Sequence, residues 1–394
     1  MRFFRLAALT MLFNISFVAN AQLVTAKFGK GIRFLAPDSS LSVNMGVRFQ
    51  TLVVAERPLT AGAEVETRMF TRRFRLKFDG FAYNPRLSYK IELALSNADN
   101  GNIIREGNNA ANIVLDAFLE YEVAPNTSLV FGQFKLPGNR ERVISSQKLQ
   151  FVDRSLVNSR YNLDRDLGLM FQHQFSLGNV LVREFLAAAA GQGRNVNIGN
   201  DTGLSYTGRV EVLPFGEFTK GGDYFGSDLA REQTPKLSIG GGFSYNNDAS
   251  RTRGELGNFV AETRNLETAL ADLIFKYKGF SVMSEYMNKT AASPLLADSS
   301  EYFVLGDGFV IQAGYLFKNN LELAARYATI NPDGELYKAG FANKETEYTL
   351  GVSRYIVGHN LKIQSDLSYS TIGTFLSQNQ DPAMVYRFQV EFAF

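Results

Sequence analysis

Beyond residue 40, apolar and polar side chains alternate one by one in segments of about ten residues. In the first segment, Val43 and Met45 alternate with Asn44 and Gly46. A period of two is typical of β-strands that have one apolar and one polar face. The pattern predicts sixteen strands, at residues 41–55, 68–83, 86–97, 112–123, 127–136, 165–177, 180–190, 203–214, 235–246, 266–278, 280–290, 305–317, 320–330, 345–357, 360–371 and 383–394.

The connections between these segments alternate between short and long. The short ones are predicted at 84–85, 124–126, 178–179, 278–279, 319–320 and 358–360. The long polar loops are 56–67, 97–111, 137–164, 191–202, 247–265, 291–304, 331–344 and 372–382. Short turns on one rim and long loops on the other are the pattern of outer-membrane β-barrels. One connection, residues 215–234, is long although it falls on the short-turn rim, and the pattern offers no reason for its length.

These features predict an all-β fold, a transmembrane antiparallel β-barrel of about sixteen strands over residues 41–394, with residues 22–40 as an N-terminal periplasmic segment. Lipid outside and water inside a closed barrel account for the two faces of each strand, and closure leaves no unpaired edge. A barrel of eight strands is filled by its own side chains, whereas sixteen to eighteen strands leave an aqueous channel.

The longest loop, residues 137–164, is rich in charged side chains, among them Arg140, Arg142 and Arg154. A loop longer than about 15 residues without evident structure is usually functional or disordered. We therefore predict that this loop folds into the lumen as a constriction.

The first 21 residues have the features of a secretory signal peptide. Arg2 and Arg5 precede a mostly apolar run over 6–18, and small residues allow cleavage near Ala21. Near the other end, the aromatic Phe394 closes an amphipathic strand and resembles the signal that the outer-membrane assembly machinery reads. The predicted location is the outer membrane of a Gram-negative bacterium.

Composition excludes several classes of function. Loss of Arg2 and Arg5 with the signal peptide lowers the count of Lys and Arg from 41 to 39, which equals the 39 Asp and Glu. A chain without net charge is not expected to bind nucleic acid. The chain contains no cysteine, which excludes thiolate metal sites, and we predict no metal and no cofactor. The spacing of the two histidines, His173 and His359, suggests no catalytic Ser–His pair, so no enzyme is predicted.

Three motifs carry a family resemblance: residues 131–137 (FGQFKLP), 151–155 (FVDRS) and 165–168 (RDLG). Together they are similar to the phosphate-selective porins O and P. The resemblance implies a trimeric, sixteen-stranded anion pore in the outer membrane. It also implies that the loop after Pro137 is the constriction, and that Lys135, Arg154 and Arg165 occupy recurrent basic positions of the family.

The spacing of basic residues offers a separate argument for an anion path. Arg73, Arg75 and Lys77 share one face of the second strand, about 7 Å apart, and Arg48 and Lys90 lie on the polar faces of its neighbours. Rings of Arg or Lys line anion pores, so these five residues could form a basic ladder.

Two features of the sequence weaken the case for this basic ladder as an anion path. Acidic residues, among them Asp79, Glu92 and Asp116, project from the same faces, so the charges could instead simply keep the lumen wet. Arg72 falls on the nominal lipid face, close enough to the loop end to reach the interface.

The predicted function is an outer-membrane porin for passive diffusion of small anions such as phosphate or polyphosphate. Its expected partners are outer-membrane lipid, small anionic solutes and, by the resemblance alone, two further copies in a homotrimer. One alternative is a porin for sugars or carboxylates without phosphate selectivity. Others are an adhesin or receptor that acts through its long loops, and a membrane-embedded hydrolase.

Replacement of both Arg73 and Arg75 by Glu should lower the anion preference of the pore, because it reverses two charges of the predicted ladder. Reversal potentials in a salt gradient across a planar bilayer measure this preference. Unchanged ion selectivity would refute the ladder.

Overall fold

Sixteen consecutive antiparallel strands form a closed barrel. The computed structural model describes residues 22–24, 28–100, 112–196, 203–296, 301–374 and 380–394. The predicted signal peptide and parts of the loops at 97–111, 191–202, 291–304 and 372–382 lie outside the described residues. The barrel strands are β3 (Leu41–Pro58), β4 (Glu66–Ala82), β5 (Asn84–Ala94), β6 (Val114–Ala124), β7 (Thr127–Lys135), β8 (Arg165–Leu177), β9 (Val180–Ala189), β10 (Ser205–Leu213), β11 (Lys236–Arg251), β12 (Phe259–Tyr277), β13 (Phe280–Thr290), β14 (Gly306–Leu316), β15 (Leu321–Pro332), β16 (Lys344–Val357), β17 (Leu361–Gly373) and β18 (Gln380–Ala393).

Each strand pairs with the next along the chain, and β18 pairs with β3 to close the ring. The sixteen predicted strands are confirmed, and so are five of the six short turns. The first turn lies at Tyr83, one residue before its predicted position, because Asn84 and Pro85 already belong to β5. At the long-loop rim, β11 and β12 are longer than the alternation predicted, extending to Arg251 and starting at Phe259. Their outer ends are polar, because the apolar pattern marks the part of a strand that faces lipid, whereas backbone pairing can continue beyond it.

Outward side chains form an apolar surface around the barrel. The exposed fraction is 67% for Leu350 and 65% for Phe131, whereas Thr349, the inward neighbour of Leu350, is only 1% exposed. In a membrane this surface faces hydrocarbon, as the alternation predicted.

Two short strands precede the barrel, β1 (Gln22–Val24) and β2 (Ile32–Leu35). β1 pairs with β2, and β2 pairs with residues 42–45 of β3, next to the point where β18 ends. There Phe394 and Val47 exchange two backbone hydrogen bonds of 3.0 Å. The sequence did not predict β1 and β2, because three or four residues are too few to display an alternation.

A β-bulge in β4 turns the side chain of Arg72 into the barrel. Gln50 of β3 pairs with Arg73, but the next residue, Thr51, pairs with Thr71, so Arg72 is an extra residue in β4. A bulge of this kind interrupts the alternation of faces. Arg72 and Arg73 consequently both point into the barrel, where both contact Asp153. The prediction that Arg72 lies on the lipid face was wrong.

The described helices are short: α1 (Asn97–Asn100), α2 (Arg140–Val143), α3 (Leu156–Tyr161) and α4 (Gly334–Lys338). Within the described ranges, no helix has the length and apolar character needed to cross a membrane.

Substitution of Leu350 by Lys should destabilise the barrel by about 2–4 kcal/mol, the cost of a Lys at the bilayer midplane. Leu350 points outward from the middle of β16. Equilibrium unfolding from lipid vesicles measures the change. Leu177→Lys is the matched control, because Leu177 is equally exposed but ends β8 at the short-turn rim. Its cost should be about 0–1 kcal/mol. Equal costs at the two positions would contradict this placement in the bilayer.

Candidate functional site

The loop between β7 and β8 lies inside the barrel, as its length predicted. It contains α2, α3 and a 3-10 helix at Ser146–Lys148. The side chain of Asn139 donates to Glu285 of β13 at 2.8 Å, and the backbone N–H of Val152 donates to Asp366 of β17 at 3.0 Å. The loop therefore crosses the lumen from β7 to the opposite wall. We refer to residues 136–164 as the inner loop.

Inward glycines make room for the inner loop on that wall. A Cβ at Gly351 of β16 would approach the ring of Phe151 to 2.9 Å, and one at Gly314 of β14 would overlap the amide of Gln150. Gln150 in turn donates to Glu322 at 2.8 Å and accepts from Gln312 at 3.0 Å. This packing holds the inner loop against β14–β17.

An open cavity of about 580 Å³ lies between the inner loop and the other wall, on the side of the long-loop rim. Among the described residues its charged lining is strongly basic, with nine arginines and three carboxylates. The arginines are Arg72, Arg73, Arg75, Arg142, Arg154, Arg165, Arg194, Arg253 and Arg387, and the carboxylates are Asp99, Asp153 and Glu347. We call this space the arginine cavity.

Carboxylates hold six of the nine arginines in place. Arg72 and Arg73 share Asp153, at 3.3 and 3.0 Å, which ties β4 to the inner loop. Arg75 contacts Asp99 of α1 at 2.5 Å and also pairs with Glu92.

The other three paired arginines have their own acidic partners. Arg142 pairs with Asp164, Arg165 with Asp116, and Arg387 with Asp366. Because their charges are compensated, these six guanidinium groups add mainly hydrogen-bonding geometry to the cavity.

The remaining three arginines bind neutral oxygen atoms. Arg154 donates to two backbone carbonyls of the inner loop, both at 2.8 Å. Arg194 donates to a carbonyl of α1 at 2.7 Å, and Arg253 to two carbonyls and the amide oxygen of Asn162. Within the part of the chain that the structure describes, none of the three has a carboxylate within 4.0 Å. Their positive charges therefore have no direct ion-pair partner among those residues, and Nη1 of Arg194 is buried without a hydrogen-bond partner there.

Arg194 and Arg253 remain ionised at neutral pH. Burial lowers the pKa of both Arg194 and Arg253, but only to about 10. For Asp99, burial opposes ionisation, but the hydrogen bond and the charge of Arg75 outweigh it and lower the pKa to about 2. The charge of this part of the cavity is thus constant over the physiological range.

The structure brings together only part of the predicted basic set. Arg73, Arg75, Arg142, Arg154 and Arg165 line the arginine cavity. Arg48, Lys77, Lys90, Lys135 and Arg140 do not. They are held elsewhere by neighbouring groups that the sequence pattern could not specify.

Two of these five residues are buried in ion pairs. The prediction that they line the anion path is corrected accordingly. Arg140 is fully buried and contacts Asp272 at 2.9 Å and Glu211 at 3.0 Å. Arg48 contacts Glu391 at 2.5 Å. A solute in the cavity reaches neither.

The ammonium groups of the three lysines also have partners. Lys77 pairs with Asp79 at 2.8 Å and Lys90 with Asp116 at 2.5 Å. Lys135 donates to the backbone carbonyls of two residues in the inner loop, at 3.0 and 3.1 Å.

Sequence reasoning missed four lining arginines. Arg387 already stood on the polar face of the last predicted strand, so its inward direction could have been recognised. The inward direction of Arg72 could not be predicted, because the bulge in β4 interrupts the alternation of faces. Arg194 and Arg253 belong to long loops whose sequences carry no periodic signal.

Comparison with solved structures agrees with this architecture. OprB of Pseudomonas putida superimposes with a TM-score of 0.57 at 10% identity, covering 89% of this chain and 94% of that one. The outer-membrane channel DcaP of Acinetobacter baumannii gives 0.56 at 12%, covering 89% and 97%. OmpF of Salmonella typhi, in complex with daunomycin, gives 0.51 at 12%, covering 90% and 98%. At these identities the likeness concerns the fold alone. No curated protein matches by sequence.

A closed sixteen-stranded barrel with an inward loop and a lipid-facing apolar surface is the build of an outer-membrane porin. The sequence model of one family, the phosphate-selective porins O and P, matches residues 43–392, nearly the whole chain. The chain belongs to that family, as its motifs indicated.

The ion preference of this cavity should not change between about pH 5 and 9, because guanidinium groups keep their charge there. As pH falls towards about 2, Asp99 becomes neutral, so the net positive charge and any anion preference should rise. Reversal potentials in potassium chloride gradients, recorded at each pH, check both parts. A fall centred near pH 7 would assign the selectivity to groups other than these arginines.

Proposed function

We propose that this porin passes small anions and that the arginine cavity is the entrance of their path. The observation that carries the proposal is that one cavity contains both arginines paired with carboxylates and arginines bound to neutral groups. Six arginines are fixed by carboxylates, while Arg154, Arg194 and Arg253 bind neutral oxygens and no carboxylate among the described residues. The three free positive charges raise the local concentration of anions at the long-loop rim.

Phosphate-type oxyanions suit this lining. The planar guanidinium fork offers two parallel N–H donors to two oxygens of phosphate or carboxylate. An anion that leaves bulk water would exchange part of its hydration shell for these donors. Polyphosphate presents the same oxygens in a row and could contact several arginines at once.

Passage also requires that binding be weak enough for release. Asp153 and Asp99 lie among the arginines and limit the net charge of the cavity. Bound carbonyls already use part of the donor capacity of Arg154 and Arg253. Together these features favour transient binding at several sites over capture at one.

Small organic carboxylates are the second candidate solutes, because they present the same pair of oxygens to Arg. Neutral sugars would gain nothing from the three uncompensated charges. Competition between phosphate and a dicarboxylate for the open pore distinguishes the two anionic classes. An adhesin or receptor would show no conductance at all.

We further propose a homotrimer, which rests on the family resemblance. Native mass spectrometry of the refolded protein in detergent tests it. A stable monomer with full conductance would refute it.

Replacement of both Arg194 and Arg253 by Gln should lower the anion-to-cation permeability ratio and weaken block of chloride current by phosphate. Each lost charge removes about 1 kcal/mol at contact distance in water, which corresponds to a several-fold loss of affinity per site. Single-channel recording in planar bilayers measures both quantities, first for the wild type and then for the variant.

Arg86→Gln is the matched control. Arg86 is an exposed arginine at the short-turn rim that also binds backbone carbonyls, at 3.0 and 3.1 Å. This variant loses the same type of charge outside the cavity and should keep the wild-type ratio. The proposal fails if the wild type shows no anion preference or if both variants behave alike.

A further inference from the structure

The long connection between β10 and β11 folds into the barrel from the short-turn rim. Residues 214–235 contain a 3-10 helix at Gly222–Tyr224, and Asp223, Ser227 and Asp228 are buried. A periplasmic-type turn needs only a few residues, as the other six on this rim show. We call residues 214–235 the inner turn.

One lysine of the barrel wall holds the inner turn in place. Lys276 of β12 is fully buried, and its ammonium group donates to the carbonyls of Gly222, Phe225 and Ser227 at 2.7, 2.8 and 2.7 Å. Three donors therefore meet three acceptors of one short segment. An ammonium group is costly to bury, so this arrangement specifies the position of the inner turn.

The inner turn meets the inner loop inside the lumen. The backbone N–H of Gly226 donates to the carbonyl of Lys148 at 2.8 Å, and the ammonium of Lys148 lies 3.9 Å from the ring centre of Phe225. A Cβ at Gly226 would come within 2.6 Å of the backbone nitrogen of Gln150, so only glycine allows this approach. Two segments that enter from opposite rims thus form one continuous layer.

This layer covers one half of the barrel wall. Behind the layer, inward polar side chains of β11, β15 and β17 are shielded from water, with 0% exposure for Ser238, 1% for Glu322 and 0% for Lys362. On the opposite wall, the side chains of Lys77 and Lys90 are 45% and 27% exposed. Water therefore reaches the strands near β4–β6 but not the wall behind the layer.

An open space also remains at the short-turn rim beside the exposed wall. It measures about 400 Å³ and lies between β7–β9 and the inner turn, with Ser128, Gln172, Arg183 and Tyr224 in its lining. Together with the arginine cavity, this space places openings at both rims on the same side of the lumen.

We propose that the inner turn is a second constriction element, which together with the inner loop closes the β11–β17 half of the lumen and confines solutes to a path along β3–β9. The inference rests on the proposed function only in that the chain must conduct. It makes the inner turn a determinant of selectivity, because the wall that the layer covers carries acidic groups such as Glu285 on β13 and Glu322 on β15. A path opened there would have mixed charge and would admit cations.

The decisive experiment replaces residues 214–237 with Asn-Gly. Val212 pairs with Ile239, so Leu213 and Ser238 would be joined by a two-residue hairpin turn for which Asn-Gly is well suited. Single-channel conductance should rise, by less than about twofold, because only the part of the covered half that the inner turn fills would open to water while the inner loop stays in place. The anion-to-cation permeability ratio should fall at the same time.

A folded replacement variant with wild-type conductance and selectivity would overturn the inference. If the replacement does not fold, Lys276→Met tests the same inference, because it removes the three hydrogen bonds that hold the inner turn. Lys318→Met is the control, an exposed lysine lost from a turn on the same rim. A wild type without conductance would refute the proposed function itself, whereas a conducting wild type with unaltered variants would refute only the inner-turn constriction.

Discussion

Satisfaction of every backbone hydrogen bond within the protein is the constraint on which this structure depends. Hydrocarbon offers no partners for N–H and C=O groups, so a spanning sheet must close on itself. Here β18 pairs with β3 over residues 48–58, and β2 continues along β3 where β18 ends. The strand edge left by the finite length of β18 is thereby covered by the N-terminal segment.

Closure at sixteen strands creates an interior too wide for side chains to fill, and this chain fills half of it with two backbone segments. Burying those segments brings charged groups out of water, which is costly unless they are paired. Arg140 meets this requirement with Asp272 and Glu211, and Lys276 with three carbonyls. Polar contacts of this kind tie both the inner loop and the inner turn to the wall.

Because buried charges need partners, the arginines that have no ionic partner are informative. Most inward charges are matched, yet Arg154, Arg194 and Arg253 face a water-filled cavity with neutral partners. Their hydrogen bonds join segments of the chain, but their charges have no carboxylate within 4.0 Å among the described residues and are available to a solute. Charges that face the cavity without an ionic partner are the physical basis for an anion path. They distinguish this cavity from the covered wall.

The alternation of side chains by itself determined the barrel, its strand number and its rims, because lipid on one face and water on the other act on every second residue. The length of residues 137–164 was enough to predict an inward loop. Pairing between charges was decided only by the tertiary structure. Arg75 and Arg140 were both predicted to line the solute path, but the first reaches the cavity and the second lies in a buried cluster. The direction of Arg72 depended on a single extra residue in β4, and the roles of Arg194 and Arg253 on loops without a periodic pattern. Local periodicity records the medium on each side of a strand, whereas the partner of a charge depends on which distant segments are folded beside it.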